Sequence, residues 1–266
     1  MHEGLAVNAR KVIESIKRRQ FLFEELVKRD FKKKYKRSIL GMGWSVLNPL
    51  LLLLVMWVVF SNLFGRNIAH YTTYLFCGNL LFSWFGESTR DSMSVLRSNA
   101  SIITKIDVPK GVFLVAKNVQ VLINFLITLA VFFVFCAIDR IEFTWKMLLL
   151  VYPIVTLAIF NLGVGYLLSA LYVFYKDMKY LWSVFLRLVM YGSAIFYPIT
   201  IVPEKYRVIM LCNPVYQHIA YFRQVVIDGV VPSGRLHLLL LGSALAAMVI
   251  GRWYYRRNDK EFLYYV

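Results

Sequence analysis

Charged side chains are scarce in this chain of 266 residues: Asp, Glu, Lys and Arg together make 17%, where soluble domains carry nearer a quarter. Acid is scarcer still, with 15 Asp and Glu against 31 Lys and Arg. An enzyme acting on prenyl phosphates needs clustered carboxylates for magnesium. Only Glu87 and Asp91, four apart on one helical face beside Arg90, come close, and a structural patch of paired charges inside a helix bundle explains them better. The sequence contains no Gly-x-x-x-x-Gly-Lys-Ser/Thr loop, so it is not expected to hydrolyse a nucleotide by itself. It contains no Gly-x-Ser-x-Gly elbow for a hydrolase nucleophile. The four histidines, His2, His70, His218 and His237, are too far apart to suggest a metal cluster. Cys77, Cys136 and Cys212 are odd in number and widely separated, which reads as small core residues and not as a disulfide or metal framework.

What replaces charge is apolar and aromatic surface, 59% and 16% of the residues, gathered in long uncharged runs. Roughly 20 apolar helical residues cross about 30 Å of hydrocarbon. Continuous runs favour helices over the alternating pattern of a barrel strand. The net charge of +16 does not point to nucleic acid, because the basic residues flank the apolar runs instead of forming a soluble domain. The first strongly apolar run begins only after residue 44, so no cleavable leader is expected.

The expected fold is an all-α integral membrane protein with six transmembrane helices, an N-terminal amphipathic interfacial helix, and short re-entrant or interfacial helices before the last span. Residues 1–44 are the amphipathic arm. Phe23, Val27, Phe31 and Tyr35 recur every fourth position, with Lys28, Arg29, Lys32, Lys33 and Arg37 on the opposite face. The transmembrane region, 45–255, divides into spans near 46–65, 72–96, 112–138, 146–175, 181–201 and 236–255, and 256–266 is a tail. By segment, the basic residues number 12, 5, 3 and 4 on one side of such a chain and 1, 2 and 4 on the other. Both termini are therefore expected in the cytoplasm. Ser98 or Asn99 can cap a short helix that Pro109 helps to end, in a segment that reads equally as an ordinary loop. The outer segment 200–234, broken at Pro203 and Asn213-Pro214, suits two short helices in the outer leaflet. Most aromatics sit at span ends, as interfacial belts do. Tyr74, Phe82, Trp84 and Phe85 on span two could instead face a path for sugars, whose apolar ring faces pack on aromatic rings. Polar Glu87 and Arg90 in span two, and Lys117, Asn118, Gln120 and Asn124 in span three, suit a hydrated or protein-facing wall, although single polar residues also simply join helices.

The stretch Lys34-Tyr35-Lys36-Arg37-Ser38-Ile39-Leu40-Gly41-Met42-Gly43-Trp44-Ser45-Val46-Leu47-Asn48-Pro49-Leu50 resembles the entry to span one in the permeases of ABC-type polysaccharide exporters. The likeness continues in order through Ser98–Pro109, Tyr175-Lys176-Asp177, Tyr197-Pro198 with Val202-Pro203, Asn213-Pro214 and Phe222-Arg223, nearly the whole chain. Tyr175-Lys176-Asp177 stands where Phe-Arg-Asp is common, and Val108-Pro109 where an aromatic-Pro is common. The resemblance implies a bacterial inner-membrane permease that works as a pair of copies above two copies of a separate ATPase. That ATPase would bind ATP and magnesium, leaving no cofactor on this chain. The cargo it implies is a glycopolymer on undecaprenyl diphosphate, such as O-antigen, capsule or wall teichoic acid. It further implies ATPase coupling through Asn99, Ser101, Ile102, Ile103, Thr104, Lys105, Ile106 and Asp107, with Tyr175, Lys176 and Asp177. The entrance would use Lys32, Lys33, Lys34, Tyr35, Lys36, Arg37 and Trp44, the basic ones suiting the diphosphate or acting only as a positive-inside anchor. A membrane-embedded glycan enzyme, an ABC permease for another amphipathic substrate, and an ion-driven carrier are the rival readings. The last is disfavoured by the lack of internal repeats and of paired mid-membrane charges.

Overall fold

The computed structural model describes residues 20–32, 40–41, 43–64, 68–105 and 108–265. All regular structure among them is helical. Helix α1 covers residues 20–32, α2 Gly43–Phe64, α3 Tyr71–Ser98, α4 Ala100–Ile103 and α5 Gly111–Ile138. A short 3-10 turn, Trp145–Leu150, leads into α6, Val151–Phe174, and α7 follows as Met178–Tyr191. Then come α8 Glu204–Leu211, α9 Pro214–Val226, α10 Gly234–Asn258 and α11 Phe262–Tyr265.

Among the described residues, four helical stretches are long and apolar enough to cross a membrane: Gly43–Ser61, Gly111–Ile138, Trp145–Phe174 and Gly234–Asn258. Helix α3 has the length, with 28 residues, but carries Glu87, Arg90, Asp91 and Arg97. Its tolerance of charge follows from position. It is the axial helix, packed by α2, α5, α6, α7 and α9, and a polar side chain within a bundle finds partners that lipid does not offer. Helix α2 is the opposite case. Its Leu and Val run has no polar stripe, and only Ser45 and Leu53 are buried among its described side chains.

The fifth expected span, 181–201, is α-helical only as far as Tyr191, with a 3-10 turn at Ile199–Ile201 beyond the break. At 14 residues α7 rises roughly 21 Å, short of a hydrocarbon core. Gly192 ends it, Ala194 takes φ 46°, and Pro198 and Pro203 flank the 3-10 turn, so that no α-helix runs through residues 192–203. The outer stretch 203–229 holds α8 and α9, separated at Asn213, whose side chain accepts from the Val215 N–H while Pro214 takes the first helical position.

Helices α6 and α10 form the tightest pair. A Cβ on Gly251 would collide with the Gly163 carbonyl oxygen, and one on Gly163 with the backbone of Ala247 and Met248. Small residues let the two backbones touch, as packing between membrane helices requires. A second apolar cluster gathers one end of the bundle: Leu26 of α1, Val95 and Leu96 of α3, Ile103, Phe113 and Leu114 of α5, Tyr166 and Val173 of α6, Tyr255 and Phe262. It ties the N-terminal helix, α4 and the C-terminal turn to the same end.

Candidate functional site

Asn79, Ser83, Glu87 and Arg90 recur at three- and four-residue steps, so they share a face of α3. That face borders two clefts. The first, of about 310 Å³, lies between α2, α3 and α5. Its polar lining is Ser45, Asn48, Asn79, Ser83, Glu87, Asn124 and Thr128, and its aromatic lining Trp44, Trp84 and Phe125. Trp84 stacks on Phe125 with centroids 4.0 Å apart, and Asn124 Nδ2 donates to Glu87 Oε1 at 3.4 Å. The second, of about 340 Å³, lies between α2, α3 and α7 and takes in Phe82, Arg90, Ser183 and Arg187. Leu52, Asn79 and Ser83 belong to both, so the two are continuous. Asn79 is buried, and its Nδ2 has no acceptor.

Of the six residues expected along a path, Phe82, Trp84, Glu87 and Arg90 border these clefts. The other two do not. Phe85 is buried against Phe160 and Trp182, at 5.9 and 6.1 Å between centroids. Tyr74 lies under the Arg223 guanidinium at 3.3 Å, and its hydroxyl donates to the Tyr197 carbonyl at 2.9 Å. Trp44, expected at the entrance, is half exposed on the first cleft. Asn48, Asn79, Ser83 and Asn124 border it too. Asn124 is among the residues expected on a hydrated wall, and the four-residue steps from Asn79 through Ser83 to Glu87 on α3 were the signal for Asn79 and Ser83.

The opposite end from α1 is a cap made by broken backbone. Arg223, fully within the protein, donates from Nη1 to Ala194 O at 2.9 Å and from Nη2 to Ile195 O at 3.0 Å and Tyr74 O at 3.2 Å. Tyr71 donates to Phe196 O at 2.9 Å, and Asn213 to Gly192 O at 3.1 Å. Side chains thus supply the donors that an interrupted helix gives up, as buried irregular backbone requires. Sequence reasoning quoted Arg223 as a landmark and missed this task.

At the α1 end, Asp30 pairs with Lys117 of α5 at 2.8 Å and with Arg29 at 2.7 Å. Arg29 also donates to Asn99 Oδ1 at 2.8 Å, and Asn99 Nδ2 donates to Val95 O at 2.8 Å. Burial alone would raise the Asp30 carboxyl, but hydrogen bonds and charge from Lys117 and Arg29 hold it below the usual carboxylate value of 3.8. Lys117 Nζ also reaches Gln120 Oε1 at 3.4 Å. Lys117 and Asn124 therefore have defined partners in α1 and α3.

The residues expected to meet an ATPase divide by face. Ser101, Thr104 and Lys105 are exposed and Ile102 is half-buried. Ile103 is instead turned inward, into the cluster with Leu26 and Phe113. The helix there is four residues long, and Asn99, expected as a possible cap, makes no side-chain cap bond to it, its amide being turned back to Val95 O. Tyr175, Lys176 and Asp177 form an exposed turn between α6 and α7. Of the basic cluster, Lys32 is exposed. Lys33, Lys34, Tyr35, Lys36 and Arg37, together with Ile106 and Asp107, lie outside the described residues.

The family profile described as ABC-2 type transporter matches residues 22–227. The chain is 28% identical over 238 residues to the O-antigen export system permease protein RfbA of Klebsiella pneumoniae, covering 86% of this chain and 90% of that protein. It is 27% identical over 245 residues to the permease of the same name in Myxococcus xanthus, covering 91% and 94%. It is 23% identical over 252 residues to the polysialic acid transport protein KpsM of Escherichia coli, covering 90% and 94%.

Proposed function

Because this chain belongs to the ABC-2 type transporter family, we propose that it is the permease subunit of a bacterial exporter for a lipid-linked polysaccharide or teichoic acid, powered by a separate ATPase. In this reading two copies form the pathway and two ATPase subunits, carrying ATP and magnesium, dock at the α1–α4 end. That end is cytoplasmic, a placement supported by the excess of Lys and Arg in the segments there. The four apolar spans together with α3 and the α7–cap segment make six crossings, with α8 and α9 re-entrant in the outer leaflet.

The observation that carries the cargo assignment is the wall of α3. It sets amides, hydroxyls and a carboxylate beside Trp44, Trp84 and Phe125 in one continuous cleft. Sugars need both, since their hydroxyls take hydrogen bonds and their ring faces pack on aromatics. The permeases of K. pneumoniae and M. xanthus named for O-antigen export, and the E. coli protein named for polysialic acid transport, support the same class of cargo. The undecaprenyl diphosphate head would meet Lys32, Lys33, Lys34, Lys36 and Arg37 at headgroup depth, beside Tyr35 and Trp44. ATP-driven closure of the ATPases would push on Ser101, Ile102, Thr104, Lys105, Ile106 and Asp107 and on the Tyr175-Lys176-Asp177 turn. Asn99 and Ile103, which face inward, would pass that push to α1 and α5. No bond is made or broken by this chain.

The test is purification from native membranes in mild detergent, followed by ATP hydrolysis with and without lipid-linked glycan. A stoichiometric P-loop ATPase whose turnover rises with glycan, and a rise that Trp44→Ala with Glu87→Gln abolishes in a correctly inserted protein, is the expected result. A chain that purifies alone and stays active without ATP overturns it.

A further inference from the structure

A third cleft stands apart from the α3 wall and from the α1–α4 junction. It lies between the outer helices α8 and α9 and the first turns of α10, with a volume of about 760 Å³, more than either cleft along α3. Its floor is apolar: Val208, Leu211, Leu236, Leu239 and Gly242. One wall is α10, long and apolar enough to cross a membrane, and its Leu238, Leu239, Leu241 and Leu245 are exposed.

Three polar features converge on the mouth of this groove. Arg235 lines it, is exposed, and makes no hydrogen bond or ion pair among the described residues. The first turn of α10, a 25-residue helix, opens beside it, with Ser233 and Arg235 in the lining. Ser233 caps the Leu236 N–H, which leaves the Gly234 and Arg235 N–H groups without an intrahelical acceptor at the positive end of the helix dipole. Gln217 lines the groove at 6% exposure. Its Nε2 donates to Leu211 O at 2.7 Å, which leaves Oε1 without a donor. A cation and free N–H groups call for a phosphate. The stranded acceptor calls for a hydroxyl or amine beside that phosphate. The long apolar floor calls for an acyl chain.

From this convergence we infer that the α8–α9–α10 groove is a binding site for an anionic glycerophospholipid of the outer leaflet, with its phosphate at Arg235, a headgroup hydroxyl at Gln217, and one acyl chain along Leu211, Leu236 and Leu239. Phosphatidylglycerol has this chemistry. Phosphatidylcholine lacks both the net charge and the donor. The site is separate from the cargo cleft, so it does not depend on what the protein exports; only its leaflet rests on the orientation proposed above.

Cys212 provides the probe. It is exposed and lines the groove, whereas Cys77 and Cys136 are buried. A small fluorophore on Cys212 of the full chain in nanodiscs reports quenching by lipids with brominated acyl chains. One surface arginine favours an anionic headgroup by roughly fivefold. We expect brominated phosphatidylglycerol to quench at correspondingly lower mole fraction than brominated phosphatidylcholine. Arg235→Gln should remove that preference, and Gly242→Trp, placed where no atom lies within 4 Å of a new Cβ, should block quenching by both lipids. Arg207→Gln, whose side chain is already engaged by the Val202 and Thr200 carbonyls, should leave the preference intact. Equal quenching by the two lipids, or a preference that survives Arg235→Gln, would mean ordinary bilayer contact and overturn the site.

Discussion

Replacing Asp30 with Asn should release the N-terminal helix from the bundle. The Asp30–Lys117 pair is 2.8 Å long and its side chains are 11% and 18% exposed. At an effective dielectric near 20 the attraction alone is roughly 6 kcal/mol, much of it offset by desolvation. Removing one partner of a buried pair costs about 3–5 kcal/mol, while an exposed pair gives less than about 1. Partial exposure places this one between, at about 2–3 kcal/mol, or roughly 30- to 150-fold in the ratio of docked to released helix. The two single substitutions should differ. Lys117→Met leaves Asp30 paired with Arg29, whereas Asp30→Asn leaves the Lys117 ammonium with neutral amide oxygens and no carboxylate among the partners described. Amide hydrogen exchange across residues 20–32 reads the effect directly. Exchange should accelerate most in Asp30→Asn, less in Lys117→Met, and the double substitution should cost less than the sum. Because the folded Asp30 value lies below 3.8, its contribution is present above that pH and lost as pH falls through the depressed value. Protection should therefore be flat from about pH 5 to 8. Unchanged exchange in Asp30→Asn, or a loss of protection centred near neutral pH, would refute the reasoning.

Two further predictions concern packing. Gly251→Leu should cost about 3 kcal/mol or more, since the new side chain meets backbone that cannot yield, while Gly242→Leu should be nearly neutral. Thermal unfolding in detergent separates them, and equal midpoints would contradict the backbone contact. Arg223→Met should cost about 3 kcal/mol by stranding carbonyls of the cap. Arg223→Lys should not restore it, because one ammonium cannot replace a planar fork reaching three acceptors. A lysine variant as stable as the parent would show that charge alone suffices.

The apolar spans were legible because each is a run of the length a bilayer demands, and hydropathy reads such runs without knowing their neighbours. The end of α7 was not. Ala194-Ile195-Phe196-Tyr197 is as apolar as the helix before it, and hydropathy carries no record of a positive φ at Ala194. The polarity of α3 was visible, yet which of its aromatics face a cleft depends on Trp182 and Arg223, residues about 100 and 150 positions away. Ile103 shows the same limit. Its inward turn joins it to a cluster with Leu26 of α1 and Tyr255 of α10, a grouping that no local pattern encodes.

The contact between Gly163 and Gly251 has a mechanical meaning as well as a structural one. Two separate rods can slide and bend independently, but rods fused at midspan resist bending as a single thicker beam. The turn at Tyr175 sits at one end of that beam, and the first turn of α10 sits at the other. A displacement applied at one end therefore meets a stiffer element than either helix alone, because the two backbones touch at Gly163 and Gly251.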